Sequence, residues 1–212
     1  MAMSARQQTP VVPLEAGAGP DNPPCPACGE PLFGWIDLRA GLAGPVSRCE
    51  SCGLGVVAEP GNAEDALRGL DPLTERGETI RIVNRGGFAA WIGGAGWPGL
   101  EPGARYLYTA EAVRRLAAHR DQVVSSARWA PGMGIATMWQ TVLNGFTFGR
   151  NVALAALGRA QAAPAGKRWQ RRMDAGISIV VAVPAMLFAL PMELIAAACR
   201  RGAALRLRVE LL

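Results

Sequence analysis

The pattern Cys25-Pro-Ala-Cys28-Gly29 returns as Cys49-Glu-Ser-Cys52-Gly53, with 20 residues between Cys28 and Cys49. Two residues between thiolates let both sulfurs of a pair reach one ion, while backbone amides past the first cysteine donate to sulfur. The glycine after each pair supplies the left-handed backbone that such a turn uses. Two knuckles of this kind close a tetrahedral four-thiolate site with no position open to water, the form taken by structural zinc. Residues 25–58 therefore read as a zinc ribbon holding one structural Zn2+ on Cys25, Cys28, Cys49 and Cys52, with strands over 32–36 and 53–57. Four thiolates also suit iron, but the CPxCG-like knuckle favours zinc. So small a module cannot bury a core of its own. Metal binding, worth about 10–16 kcal/mol in zinc peptides, would supply most of its folding free energy. The fifth cysteine, Cys199, stands alone among apolar residues and reads as a small core side chain.

Paired CxxC motifs without an export signal imply reduced thiolates, and hence a cytoplasmic chain. Residues 1–24 contain no apolar stretch of signal-peptide length, and the Pro-, Gly- and Ala-rich run 9–24 predicts a flexible tail. The 212 residues leave room for the ribbon and one further domain. A net charge of +5, with arginines scattered along the chain and only 6% aromatics, is weak support for anionic partners and does not suggest nucleic acid.

Beyond the ribbon, 59–77 reads as a linker with a turn or two of helix at 63–70. Residues 78–84 alternate apolar and polar side chains as a strand does. Five glycines between 93 and 103 are expected to break any regular element over 86–105. A helix starts at Thr109, where a hydroxyl cap precedes Glu111 and apolar Ala112, Val113 and Leu116. Gln122–Trp129 reads as another strand, and 204–212, Leu-Arg-Leu-Arg-Val-Glu-Leu in its centre, as the clearest strand of all.

These elements resemble the C-terminal part of a class I S-adenosylmethionine-dependent methyltransferase of the kind that carries an N-terminal zinc ribbon. In that family a fifth strand ends in an Asn-containing turn, an irregular Trp-containing lid follows, and a helix opening with Tyr/Phe-Thr leads to a sixth strand. Here Ile80-Arg81-Ile82-Val83-Asn84 is similar to the fifth strand. Trp97-Pro98-Gly99-Leu100 and Arg105-Tyr106-Leu107-Tyr108-Thr109 are similar to the lid and helix start. Gln122–Trp129 would be the sixth strand and 204–212 the seventh, antiparallel one. The resemblance covers the C-terminal two-thirds of this chain but about half of such an enzyme. It implies an α+β or α/β body over 78–212, with about three strands and helices packed on the sheet. The acidic, glycine-rich turn that holds the cofactor has no counterpart. Roughly 20 residues separate ribbon and fifth strand, whereas one βαβ unit takes about 30. The chain is therefore expected to lack the cofactor site and to act as a non-catalytic binding or scaffold protein. The alternatives are a divergent or partner-completed methyltransferase and a membrane-anchored zinc-ribbon protein.

Other catalytic signals are sparse. Gly94-Ala-Gly96-Trp-Pro-Gly99 matches GxGxxG, but Pro98, Pro102 and Gly103 prevent the helix that a dinucleotide site requires, so a lid-like loop is expected. The only histidine, His119, sits at a helix end, where a capping role suffices. Glu78, Glu101, Glu111 and Asp174 read as solvated or capping carboxylates. Tyr106 and Tyr108 either pack or line a pocket under the lid.

Two apolar segments, 133–157 and 176–199, form an expected helical hairpin over 133–199. They are joined by a loop bearing Lys167, Arg168, Arg171 and Arg172. The second segment is long enough to cross a bilayer. Pro184, Pro191 and Glu193 oppose a span, as does the strand that follows, so a buried or interfacial helix is expected. The partners implied are another protein and a membrane surface reached through 133–199.

Overall fold

The computed structural model describes residues 22–36, 44–70, 79–160 and 166–211. The expected tail lies outside these residues apart from its last three. So do Glu78, the end of the linker and Leu212.

The ribbon is built from β1 (Leu32–Ile36), β2 (Val46–Cys49) and β3 (Gly55–Val57), paired antiparallel in sequence order. The middle strand was not apparent from the sequence, because Val-Ser-Arg-Cys is too short to show a period. A fourth strand comes from far along the chain: β5 (Tyr106–Leu107) pairs with β3, setting Leu107 opposite Gly55 and Tyr106 opposite Val56. The segment expected to lead into the helix at Thr109 thus completes the ribbon sheet.

Between β3 and the next sheet lies α1 (Ala63–Arg68), capped by Asn62, which accepts from the Asp65 amide at 2.8 Å. The second sheet has the order β4 (Thr79–Val83), β7 (Ala204–Leu211), β6 (Gln122–Trp129), and β7 is antiparallel to both neighbours. The protein is accordingly mixed α/β, with two antiparallel sheets. The strand periodicity explains one face: Ile80, Ile82, Leu207 and Val209 are buried against α3 (Ala110–Ala118), whose Val113 and Leu116 face them. Thr109 caps α3 and His119 ends it, as expected.

Three expectations for residues 86–172 are corrected. The glycine-rich stretch does form a helix, α2 (Phe88–Gly93), followed by one 3-10 turn at Gly94–Gly96. Nor is this region a lid. Trp97 and Leu100 are buried in a core with Met138, Leu107 and Ala189, and the side chains of Asn144 and Asn151 hold the carbonyls of Gly96 and Pro98. Packing by a distant helix, which local sequence does not encode, outweighs the glycines' lack of propensity. Finally, the basic residues are not in a loop. They open α6 (Arg168–Ala198), with Lys167 as its cap.

The first apolar segment forms α4 (Pro131–Asn144) and α5 (Val152–Ala156), broken at Asn144-Gly145 as the sequence suggests. It packs against α6 through Trp139, Val142, Leu143, Ala153 and Ala185. Cys199 ends α6 and is exposed, so it is not a core side chain.

Candidate metal centre

Each knuckle forms from its own backbone. In the first, Gly29 N–H donates to the Cys25 carbonyl at 2.8 Å, and in the second Gly53 N–H donates to the Cys49 carbonyl at 3.0 Å. Gly29 and Gly53 take φ of +77° and +75°, the left-handed region in which a β-carbon is penalised. The hairpin ends then bring the knuckles together. Cys25 and Cys52 Sγ lie 3.6 Å apart, Cys28 and Cys49 Sγ 3.5 Å apart, and all four sulfurs lie within 4.8 Å of one another. Four sulfurs at about 2.3 Å from one ion in a regular tetrahedron stand about 3.8 Å from each other. The cluster therefore has the dimensions of a four-thiolate metal site, assembled from the four residues that the sequence singles out.

The electrostatics fit a cation. Burial foremost lifts the Cys28 thiol to about 11. Cys52 is raised further, first by its hydrogen bond with Cys25 and then by burial. The Cys28 and Cys52 thiols thus resist ionising, and a divalent ion reverses that balance by binding thiolates directly.

Sequence reasoning missed the residues that grip the second knuckle. Thr109 Oγ1 donates to the Cys52 carbonyl at 2.6 Å, while Arg85 Nη1 donates to the Gly53 carbonyl at 3.1 Å. The Arg85 guanidinium also sits 4.2 Å from the centre of the Trp35 ring. Burial, with Arg48 nearby, lowers Arg85 to about 10, and the sulfurs of Cys52 and Cys49 act in the opposite direction. No spacing rule links positions 85 or 109 to the cysteines, so only the fold could reveal them.

The ribbon also shares its core with the body. Leu32, Leu54 and Val56 belong to one buried cluster with Ile82, Tyr108 and Leu207. This resolves the problem of its size: strands from elsewhere supply the apolar surface it lacks.

The tyrosines pack and hydrogen-bond. Tyr106 Oη accepts from Gly61 N–H at 3.2 Å, and Tyr108 donates to the Ala66 carbonyl at 2.7 Å. Both also border a cleft of about 350 Å3 with Arg81, Trp97, Glu101 and Met133. Burial raises both the Tyr108 phenol and the Glu101 carboxyl above their ordinary values. Glu111 is solvated and paired with Arg114 and Arg115. Asp174, expected to be solvated or capping, is buried within α6, and its carboxylate accepts from the Phe148 and Gly149 amides at 2.7 and 2.9 Å.

No protein-family model matches this chain, and neither a curated protein nor a solved structure does so.

Proposed function

We propose that the protein is a non-catalytic, methyltransferase-like binding or scaffold protein, clamped by one structural Zn2+ on Cys25, Cys28, Cys49 and Cys52. Zinc is favoured because all four donors are thiolates in CPxCG-like knuckles and three of the four cysteines are buried, leaving little room for a water-bearing catalytic ion. The methyltransferase-like reading rests on residues 80–84, 105–109 and 122–129, with the last strand antiparallel between the other two.

The observation that carries the non-catalytic reading is spatial. Between β3, ending at Val57, and β4, starting at Thr79, the described residues hold one six-residue helix. A nucleoside-binding βαβ unit of about 30 residues does not fit there. The binding surface is the outer side of α6, the one helix among the described residues long and apolar enough to cross a membrane, with only 22% of its most apolar stretch buried.

Titration calorimetry of the full chain with S-adenosylmethionine should give no heat at micromolar concentration, and metal analysis should find one zinc per chain. Micromolar cofactor binding would overturn the non-catalytic reading, and protein purified without chelator yet free of zinc would overturn the clamp.

A second reading is favoured by one observation. Among the described residues β4 is an edge strand, hydrogen-bonded to β7 alone. A partner subunit that added a strand there would complete a methyltransferase, and cofactor binding would then appear only in the complex.

A further inference from the structure

We infer that the outer face of α6 docks in the plane of an anionic lipid bilayer, with the helix lying on the surface; this rests on the reading of α6 as the binding surface. From Ala175 to Cys199 the helix and its end expose Ile179, Val180, Val183, Leu187, Phe188 and Ile195, with Ile179 78% and Leu187 72% accessible. At 1.5 Å per residue this stripe runs about 36 Å. Its only carboxylate, Glu193, is turned inward and fully buried. Monomeric proteins seldom leave so long an apolar face uncovered.

The charge pattern selects the occupant. Lys167, Arg168 and Arg172 are exposed before the stripe, and Arg200 and Arg201 after it. A second copy laid on this face, parallel or antiparallel, would set arginine beside arginine at both ends. A partner protein would be expected to use hydrogen bonds, about one per 100–200 Å2 of interface. The exposed side chains of this stripe offer none. Lipid asks for none, and anionic headgroups would meet basic residues at either end. Trp169 lies among the first basic residues, half exposed, its ring 5.5 Å from that of Phe148 in an edge-on contact. Such amphipathic rings sit at the headgroup boundary.

The inner face opposes a span. Asp174 binds the Phe148 and Gly149 amides. Trp139 Nε1 reaches the Ala182 carbonyl at 2.9 Å, and Glu193 binds Trp129 and the Ala203 amide. The helix is thus fastened along its length to α4, the following loop and the sheet, and only its outer side is free to enter lipid.

The test is sedimentation of the zinc-loaded full chain with vesicles of phosphatidylcholine alone, or of phosphatidylcholine mixed with phosphatidylglycerol. Binding should be much tighter to the mixed vesicles and should weaken with salt. Each basic residue near an anionic surface strengthens binding about fivefold, so Arg168→Gln with Arg172→Gln should weaken it on the order of 25-fold. Leu187→Glu should weaken it at least about tenfold on both vesicle types. These side chains are exposed, and unchanged circular dichroism and zinc content establish that the variants fold. The inference is overturned if the chain does not sediment with mixed vesicles or if these variants bind like the parent. A dimer dispersed by Leu187→Glu with no vesicle binding would instead assign the face to a second copy. Resistance to carbonate extraction would assign it to a span. None of these outcomes decides metal identity or cofactor binding, so the zinc-clamped, non-catalytic reading stands or falls separately.

Discussion

Thr109 and Cys52 are joined by a 2.6 Å hydrogen bond in which the threonine hydroxyl donates to the cysteine carbonyl. The same oxygen accepts from the Ala112 amide at 3.1 Å and so caps α3. One side chain therefore starts a body helix and steadies a cysteine knuckle 57 positions earlier in the chain. Thr109→Val should cost the cap, about 1 kcal/mol, and strand a half-buried carbonyl, for a total of about 2–3 kcal/mol in urea unfolding. Zinc affinity should fall about tenfold, the lower end for residues behind a ligand. Unchanged affinity in a competition titration would show that the knuckle holds itself.

Metal removal should reach well beyond residues 25–58. Leu32, Leu54 and Val56 are buried with Ile82 and Leu207, so a ribbon that loosens exposes one face of the β4-β7-β6 sheet. Chelation should lower the thermal midpoint of the whole chain and change the fluorescence of Trp35, which packs on Arg85. A sheet that melts at the same temperature with and without zinc would show the two parts to be independent. Because protons compete with metal for thiolates, zinc release should rise as pH falls, and Cys52→Ser should release it at higher pH than the parent.

The four-cysteine cluster was legible in the sequence because its signal is local: two residues between cysteines is a geometric requirement, whatever the rest of the chain does. The strand periods of 80–83 and 204–211 were legible for a related reason, since each buries one face. What escaped was set by contacts between distant segments. Tyr106-Leu107 became a strand because Gly55 and Val56 offered an edge, Trp97 was buried by α4, and Asp174 was drawn inward by two loop amides. Glycine-rich composition indicated a loop at 88–93, where packing against α4 and α6 imposes a helix.

The solvent face of the second sheet carries a costly row. Arg206 on β7 is paired directly with Arg81 on β4 and with Arg128 on β6. All three are exposed, and like charges set opposite each other across strands destabilise a sheet. Arg206→Thr relieves both contacts and introduces a β-branched residue. It should raise stability by about 0.5–1 kcal/mol in urea at low salt, with the gain shrinking as salt screens the parent's repulsion. A loss of stability would show that the stacked guanidinium stems pack better than their charges repel.

At the same end of that sheet, beside the arginine row, Glu193 on α6 ties three elements together. Its Oε1 accepts from Trp129 Nε1 and from the Ala203 amide, both at 2.8 Å, while Oε2 is buried without a partner. The contact exists because Gly134 of α4 has no side chain: a β-carbon there would collide with Oε1. Burial raises the Glu193 carboxyl above its ordinary value, and the two hydrogen bonds only partly oppose this. The folded chain thus holds this proton more tightly than the unfolded chain does. Its contribution is fully present below the ordinary carboxyl range and is lost as pH rises through the elevated value. Glu193→Gln keeps the acceptor and removes the charge. Relative to the parent it should gain stability as pH rises from about 4 to 8, and zinc release at low pH cancels because the two chains are compared at each pH. Glu193→Ala leaves the Trp129 and Ala203 donors buried and unpaired, at a cost of about 2–4 kcal/mol at every pH. If Glu193→Gln followed the parent at a constant offset across that range, the carboxylate would be ionised throughout, and the end of α6 would be held by a charged acceptor.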